Sequence, residues 1–282
     1  GCFPYHQLGP QHRRRRLLGG RGAPPPGVDA GAAERARAFA RRSDLLARRP
    51  LSRRNPLRRG LAIAGLFADD PVPAMTRTRI KICGITRPGD ALAAAELGAD
   101  AIGFVFWKPS ARAVTPARAG ELSRVVPPFV ARVALFVDPP EADVAAVIAA
   151  CHPDLLQFHG DEPPAFCRRF GVPYIKAARV RPGLDLLEWS RAYEDASGWL
   201  LDGFREDLPG GTGETFNWSL IPSGLSRPVI LSGGLTAGNV AAGMRAVRPW
   251  AVDVSSGVEA AKGIKDPARI AAFISGVRNA DV

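Results

Sequence analysis

The stretch Arg79–Phe106, RIKICGITRPGDALAAAELGADAIGFVF, decides the fold of this chain. It begins with a short apolar run, RIKIC, continues with an alanine-rich segment of helical period, PGDALAAAELGA, and ends with a second apolar run, AIGFVF. Near-continuous apolar runs are typical of parallel strands, because connecting helices cover both faces of a parallel sheet. The stretch therefore predicts a strand, a helix and a second, parallel strand.

The same strand–helix unit recurs to the end of the chain. The predicted strands are RIKIC, AIGFVF, RVALFV, LLQFH, YIKAARV, WLLDG, PVILSGG and AVDVSSG. Eight such units close naturally into a (β/α)₈ barrel. An open, doubly wound sheet is the alternative, but it needs a G-x-G-x-x-G fingerprint after the first strand, and KICGITRPGD lacks one. We predict a single (β/α)₈ TIM barrel over residues 75–282.

Residues 1–74 have a different composition. They hold 15 arginines against five acidic residues, broken by Pro and Gly, while the remainder of the chain is close to neutral. Without a sustained strand or helix period, this segment is predicted to be a disordered basic extension. It could be a targeting peptide or bind nucleic acid or an anionic membrane. Since Met75 is the first methionine, we expect the natural protein to start there and residues 1–74 to come from translation of GC-rich upstream sequence.

Several protein classes are disfavoured by the sequence. The longest apolar run of the extension, LAIAGLFA, is far shorter than the roughly 20 residues of a membrane span. The cysteines Cys2, Cys83, Cys151 and Cys167 are scattered and form no CxxC, so we predict neither a disulfide scaffold nor a zinc site, and a cytoplasmic location. Cys151 and Cys167 lie among apolar residues and are predicted to be structural.

Polar residues that end apolar strands are the candidates for an active site, because the carboxyl-terminal strand ends of a barrel form its catalytic mouth. The candidates are Cys83, Gln157, His159, Asp202, Ser232, Gly233, Gly234, Asp253, Ser255 and Ser256. The last two loops, SGGLTAGN and DVSSGVE, offer backbone N–H groups where barrels commonly hold a phosphate. We therefore predict a phosphate site made by Gly233, Gly234, Ser255 and Ser256.

The order of the motifs resembles one enzyme family. KICGIT, GADAIGFVF, SAR at residues 110–112, QFHG, LLDG with GGTGETFNW, LSGGL and VRPWAVDVSSGVE together resemble phosphoribosylanthranilate isomerase of tryptophan biosynthesis, over residues 78–279. The resemblance implies a single barrel that needs no metal or organic cofactor. It also implies an Amadori rearrangement, in which N-(5-phosphoribosyl)anthranilate becomes 1-(2-carboxyphenylamino)-1-deoxyribulose 5-phosphate.

This reaction needs one acid and one base. Opening the ribose ring needs a proton for the ring oxygen, and removal of the C2 proton then gives an enolamine that tautomerises to the ketone. The resemblance implies that Asp202 is the acid, protonated when substrate binds, and that Cys83 is the base, as a thiolate. We expect the Cys83 thiol to be exposed at the mouth, with Gly84 letting the chain turn tightly after it.

The resemblance also implies binding roles. Arg112, in the loop after the second strand, would pair with the anthranilate carboxylate, since a guanidinium suits a planar carboxylate bidentately. His159 would line the pocket or be a satisfied polar residue. Asp253 would meet the ribulose hydroxyls or orient its loop. The predicted partner is thus a phosphorylated small molecule, with no nucleic acid or membrane partner, and the chain is predicted to be a monomer or homodimer.

The chain departs from the family pattern in one loop, and alternatives stay open. The family commonly reads GGTGKTFDW, whereas Glu214 and Asn217 replace its lysine and aspartate here. A histidine-pathway isomerase uses an aspartate where this chain has Cys83, and indole-glycerol-phosphate synthase uses lysine and glutamate bases. A third alternative is an Arg-rich nucleic-acid-binding protein with an inactive barrel, whose binding would depend strongly on salt.

Overall fold

Eight parallel strands form a closed barrel in the computed structural model, which describes residues 77–203 and 216–281. Each strand pairs with the next along the chain, and β1 closes the barrel against β8. The strands are β1 Arg79–Cys83, β2 Ala101–Val105, β3 Ala131–Phe136, β4 Leu155–Phe158, β5 Tyr174–Val180, β6 Gly198–Gly203, β7 Val229–Leu231 and β8 Ala251–Val254. The predicted (β/α)₈ barrel is therefore confirmed.

Helices follow the strands where the alanine-rich segments predict them. They are α1 Pro88–Leu97, α2 Pro116–Ser123, α3 Glu141–Cys151, α4 Pro164–Cys167, α5 Leu186–Ala192, α6 Val240–Val247 and α7 Pro267–Ala280, with 3₁₀ turns at Arg168–Phe170, Trp218–Leu220 and Ser256–Val258. Proline begins α1, α2, α4 and α7, at the helical position where its missing N–H costs nothing.

A small hairpin between β8 and α7 was not predicted. Its strands, β9 Glu259–Ala261 and β10 Ile264–Lys265, pair antiparallel outside the barrel sheet. The segment EAAKGIK has no strand-like alternation of apolar residues, so its sequence gives no signal for a sheet. The hairpin matters because it places Glu259 and Lys265 beside the barrel mouth.

Apolar side chains fill both sides of the barrel wall. The larger core lies between strands and helices, with Phe104, Phe136, Phe158 and Trp199 fully buried. A smaller layer inside the barrel contains Ile175, Ala177, Leu200, Ile230 and Ala251. Because side chains alternate along a strand, the residues two positions beyond this inner layer point into the mouth. The inner layer therefore closes the floor of the mouth.

The cysteines predicted to be structural are buried. Cys151 and Cys167 are 2% and 0% exposed, and burial raises their pKa values to about 11 and about 12. Residues 1–74 and Glu214 lie outside the described residues, so the predicted domain boundary and the effect of Glu214 stay predictions. Among the described residues, no helix combines the length and apolarity needed to cross a membrane.

Candidate active site

One cavity at the carboxyl-terminal ends of the strands brings the predicted site residues together. Its volume is about 180 Å³. The lining includes Cys83, Arg112, His159, Asp202, Gly233, Gly234, Asp253, Ser255 and Ser256. Ser232 also lines this space, so ten of the eleven residues that the sequence selected surround it, although they come from six different strand ends. Gln157 is the exception, because it is fully buried beneath His159.

Cys83 lies at the end of β1, but the prediction that its thiol is exposed is wrong. The residue is only 4% exposed, because Val105 and Leu135 pack around it. Burial raises the pKa of the Cys83 thiol, and the positive charge of Lys81 opposes this shift. Gly84 follows with a φ of 78°, a conformation that favours glycine, so the predicted tight turn is present.

Lys81 is a buried cation beside this thiol that sequence reasoning missed. Its Nζ lies 2.8 Å from Oδ1 of Asp253, and both residues are 5% exposed. Ser232 also donates to Asp253, from Oγ to Oδ2, at 3.3 Å. The signal in the sequence was the spacing of Lys81 and Cys83, since residues two apart on a strand share a face.

Asp202 lies one residue before the end of β6, on the side of the cavity opposite Cys83. The Gly203 N–H donates to its Oδ1 at 2.7 Å. Its Oδ2 lies 3.3 Å from Nε2 of His159, which makes no hydrogen bond among the described residues. Gln157 Nε2 lies 3.0 Å from the other His159 ring nitrogen, Nδ1. Oδ2 of Asp202 is therefore the carboxyl oxygen left for a ligand.

Arg112 lies on the cavity wall, but it already has a carboxylate partner. Its Nε and Nη2 donate to the two carboxylate oxygens of Glu259, each at 2.8 Å. Glu259 also accepts from Lys265 Nζ at 2.9 Å. Within the described residues, the Arg112 Nη1 donates no hydrogen bond. Sequence reasoning missed Glu259 and Lys265 because it missed the hairpin that carries them.

The predicted phosphate corner has the required backbone geometry. Gly233 and Gly234 have φ angles of 84° and 63°, in the left-handed region. Among the described residues, the backbone N–H groups of Gly233, Gly234, Ser255 and Ser256 donate no hydrogen bond. Unpaired N–H groups are the donors that an anion needs. A Cβ on Gly233 would lie 2.5 Å from Asp202 Oδ1, so the close approach requires glycine there.

An apolar wall completes the cavity beside Cys83. Val105 and Leu135 are buried there, and Trp107 and Val137 pack against them at the rim. Within the parts of the chain that the structure describes, no group of three or more His, Cys, Asp or Glu side chains is placed to hold a metal ion.

A closed eight-stranded parallel barrel with these groups at its carboxyl-terminal mouth defines the class of (β/α)₈-barrel enzymes. The family model described as N-(5'phosphoribosyl)anthranilate (PRA) isomerase matches residues 80–276. The chain therefore belongs to the phosphoribosylanthranilate isomerase family, and it is an isomerase. Family membership confirms the resemblance in the strand-end motifs.

Individual proteins show the same similarity. The N-(5'-phosphoribosyl)anthranilate isomerase of Nitrosospira multiformis is 58% identical over 199 residues, which cover 71% of this chain and 96% of that relative. The crystal structure of the Thermotoga maritima enzyme superposes with a TM-score of 0.67 at 40% identity, covering 72% of this chain and 99% of that one.

A further solved structure contains a ligand. It is a phosphoribosylanthranilate isomerase in complex with reduced 1-(o-carboxyphenylamino)-1-deoxyribulose 5-phosphate. This protein is 39% identical, with a TM-score of 0.63, and the match covers 72% of this chain and 99% of that chain.

Proposed function

We propose that the chain converts N-(5-phosphoribosyl)anthranilate into 1-(2-carboxyphenylamino)-1-deoxyribulose 5-phosphate in tryptophan biosynthesis, with Asp202 as the acid and Cys83 as the base. The observation that carries this proposal is that both groups face one cavity, from opposite sides, with an anion corner between β7 and β8. The ligand-bound structure of a relative supports the proposal, because that ligand has the carbon skeleton and the phosphate of the proposed product.

Asp202 starts the reaction by giving its proton to the furanose ring oxygen. As the C1–O bond breaks, the anomeric nitrogen pushes its lone pair toward C1 and an iminium ion forms. Oδ2 of Asp202 suits this step, because Oδ1 is already engaged by the Gly203 N–H. Asp202 is a carboxylate after the transfer.

Cys83 then removes the C2 proton. The positive iminium at C1 acidifies C2 and favours a thiolate nearby, which counteracts the effect of burial on the thiol. The C2 proton moves to sulfur and its electron pair forms the C1–C2 double bond of the enolamine. Uptake of a proton at C1 and loss of the O2 hydroxyl proton give the ketone, so the net change is an isomerisation.

The remaining groups hold the two ends of the substrate. The phosphate binds to the unpaired N–H groups of Gly233, Gly234, Ser255 and Ser256. The anthranilate ring packs on the apolar wall near Trp107, with its carboxylate toward Nη1 of Arg112. These two anchors fix the sugar between Cys83 and Asp202, which is the positioning that the reaction needs.

His159 and Asp253 complete the pocket in different ways. His159 presents its Nε2, without a hydrogen bond in the described residues, to the sugar beside Asp202. Asp253 lines the cavity while it accepts from Lys81 and Ser232. We assign Asp253 to the ribulose hydroxyls, which approach from the cavity side.

The test is direct conversion of the substrate by the purified chain. Substrate and product have equal mass, so the conversion is followed by ¹³C NMR. With N-(5-phosphoribosyl)anthranilate labelled at C2, the signal of this carbon moves from that of an alcohol to that of a ketone. We expect a ketone signal with the wild-type chain and almost none with Cys83→Ala or Asp202→Asn. Absence of ketone with the folded wild-type chain would contradict the proposed activity.

A further inference from the structure

A buried ion pair lies directly beneath the proposed base. We infer that Lys81 is a positioning residue whose ammonium group lies against the Cys83 sulfur and favours its thiolate, while Asp253 fixes the ammonium in place. The inference rests on the proposed role of Cys83 as the base.

Strand geometry brings the three side chains together. Lys81 precedes Cys83 by two residues on β1, so both side chains point into the barrel. Asp253 is the register partner of Lys81 across the β1–β8 pair, and the two charges are 2.8 Å apart. The positions follow from the backbone register and not from a mobile loop.

The space beside Gly103 of β2 shows that the side chains of Lys81 and Cys83 both lie close to one point. Gly103 is the register partner of Cys83. A Cβ added to Gly103 would lie 2.8 Å from the Cys83 Sγ and 3.2 Å from the Lys81 Cε. Both side chains therefore cover the space that glycine leaves open, and a larger residue would push them away.

The surroundings of the sulfur explain why a cation matters there. Desolvation disfavours the thiolate, which raises the pKa of Cys83, and Lys81 is the strongest opposing influence. Asp253 from β8 adds to the rise, Lys265 from β10 opposes it, and Arg112 from the loop after β2 also interacts with the thiol. Without Lys81, Asp253 would lose its ion-pair partner beside the sulfur, and Lys265 would be the remaining charge that lowers the pKa of the thiol.

A second buried lysine shows what a purely structural pair looks like. Lys176 on β5 is paired with Glu162 at 2.8 Å, and its Nζ also donates to the Gly160 carbonyl oxygen at 2.5 Å. That ammonium ties the loop after β4 to β5. Lys81 Nζ makes no such carbonyl contact among the described residues, and Asp253 and the thiol are its polar neighbours.

The experiment measures ionisation of the thiol separately from catalysis. In the full chain, the rate of Cys83 alkylation by iodoacetamide is followed against pH by peptide mass spectrometry, for wild type, Lys81→Met and the control Lys176→Met. We expect Lys81→Met to lower the rate at pH 7 by about tenfold or more, with recovery at alkaline pH. Lys176→Met, which also leaves a buried carboxylate unpaired, should follow the wild-type profile.

The pH profile of kcat/KM is measured in parallel. Its acid limb should move to higher pH in Lys81→Met, whereas a merely structural loss would lower kcat/KM at every pH. If alkylation shifts but kcat/KM does not follow, Lys81 acts on the thiol as inferred and the base role of Cys83 fails. An alkylation profile that superposes on wild type would overturn the inference.

A second variant covers the case in which Lys81→Met does not fold. Lys81→Met/Asp253→Asn removes both charges of the pair and leaves no buried carboxylate unpaired. The loss of alkylation rate should be smaller but keep its direction, because Lys81 acts on the thiol more strongly than Asp253 does. An unchanged or faster alkylation in this folded double variant would also overturn the inference.

Discussion

The two sides of the cavity differ in the charges that surround the proposed base, Cys83, and the proposed acid, Asp202. On the base side, defined by Lys81, Cys83 and Asp253, the sulfur lies beside a buried ion pair. The hairpin adds Lys265, whose Nζ donates to the Ser255 carbonyl oxygen at 3.0 Å. This side therefore brings cations toward the sulfur that is an anion in the proposed mechanism.

The acid side, defined by Gln157, His159 and Asp202, has no lysine or arginine against its carboxyl group among the described residues. The Asp202 carboxyl group contacts one backbone N–H and the His159 imidazole, and the Gln157 amide contacts the other side of that imidazole. A carboxyl group that has to give away a proton is better served without a neighbouring cation, because a cation favours the ionised form. The difference fits the proposed mechanism, in which the Cys83 thiolate gains a proton and the Asp202 carboxyl group loses one.

Removal of the proposed base should have the largest effect. We expect Cys83→Ala to lower kcat by about 10²- to 10⁴-fold, the range typical of losing a general base. Cys83→Ser should be comparably impaired, because a hydroxyl is hardly ionised at neutral pH. Steady-state kinetics measures the loss, and circular dichroism checks that the variants are folded. Full turnover in either variant would remove Cys83 from the chemistry.

Loss of Arg112 should act on binding more than on chemistry. Arg112→Ala is expected to raise KM by about 10- to 100-fold, the equivalent of one charged hydrogen bond of about 1.5–3 kcal/mol. Its kcat should fall less. Arg118→Ala, which removes an arginine of α2 outside the cavity, is the control and should leave KM unchanged. A collapse of kcat with constant KM would instead place Arg112 among the groups that act on the reacting atoms.

The hairpin carboxylate should make stability depend on pH. Burial alone would raise the pKa of Glu259, but the Arg112 hydrogen bond and Lys265 lower it below its ordinary value. A lowered pKa in the folded state stabilises the chain above the ordinary value of about 4.3, and this contribution is lost as pH falls through the folded pKa.

Glu259→Gln should therefore melt lower than wild type at pH 7, with a smaller further decrease between pH 5 and pH 3. Thermal unfolding across this range measures both quantities. Glu121→Gln, an exposed carboxylate paired with Arg118, serves as the control and should keep the wild-type slope. Equal slopes for Glu259→Gln and wild type would show that the Arg112 pair does not hold the hairpin.

The smallest effect concerns the basic extension. A chain that starts at Met75 keeps every strand of the barrel and every proposed site residue. We expect it to melt within a few degrees of the full chain, to keep its kcat/KM and to complement a tryptophan auxotroph that lacks this isomerase. A large loss of melting temperature or kcat/KM on truncation would mean that residues 1–74 contribute to the stability or activity of the barrel.

The barrel could be predicted from the sequence because each strand and helix carries its own local signal. RIKIC and YIKAARV are apolar runs, and proline or an N-cap such as Thr115 marks where helices begin. The β9–β10 hairpin lacks such a signal, since Glu259 and Lys265 are held by ion pairs formed only after folding. A local sequence pattern does not predict ion pairs between residues that are far apart in the chain.

The sequence predicted which residues line the site better than it predicted their burial and their charged neighbours. Apart from Gln157, the residues that the strand-end rule selected share one cavity, but the rule passed over Lys81, one layer below the strand end. The rule also gave an exposed thiol, whereas β2 and β3 bury Cys83. How deeply a side chain is buried depends on its neighbours from other strands, and one strand's sequence does not contain them.

The most direct test of the two-sided account is an isotope effect on the residual activity of two variants. Substrate with deuterium at C2 is compared with unlabelled substrate for Cys83→Ser and Asp202→Asn. If Cys83 removes the C2 proton and Asp202 opens the ring, kcat/KM of Cys83→Ser should show a primary isotope effect and that of Asp202→Asn should show almost none. The reverse pattern, with the isotope effect confined to Asp202→Asn, would contradict the assignment of base and acid.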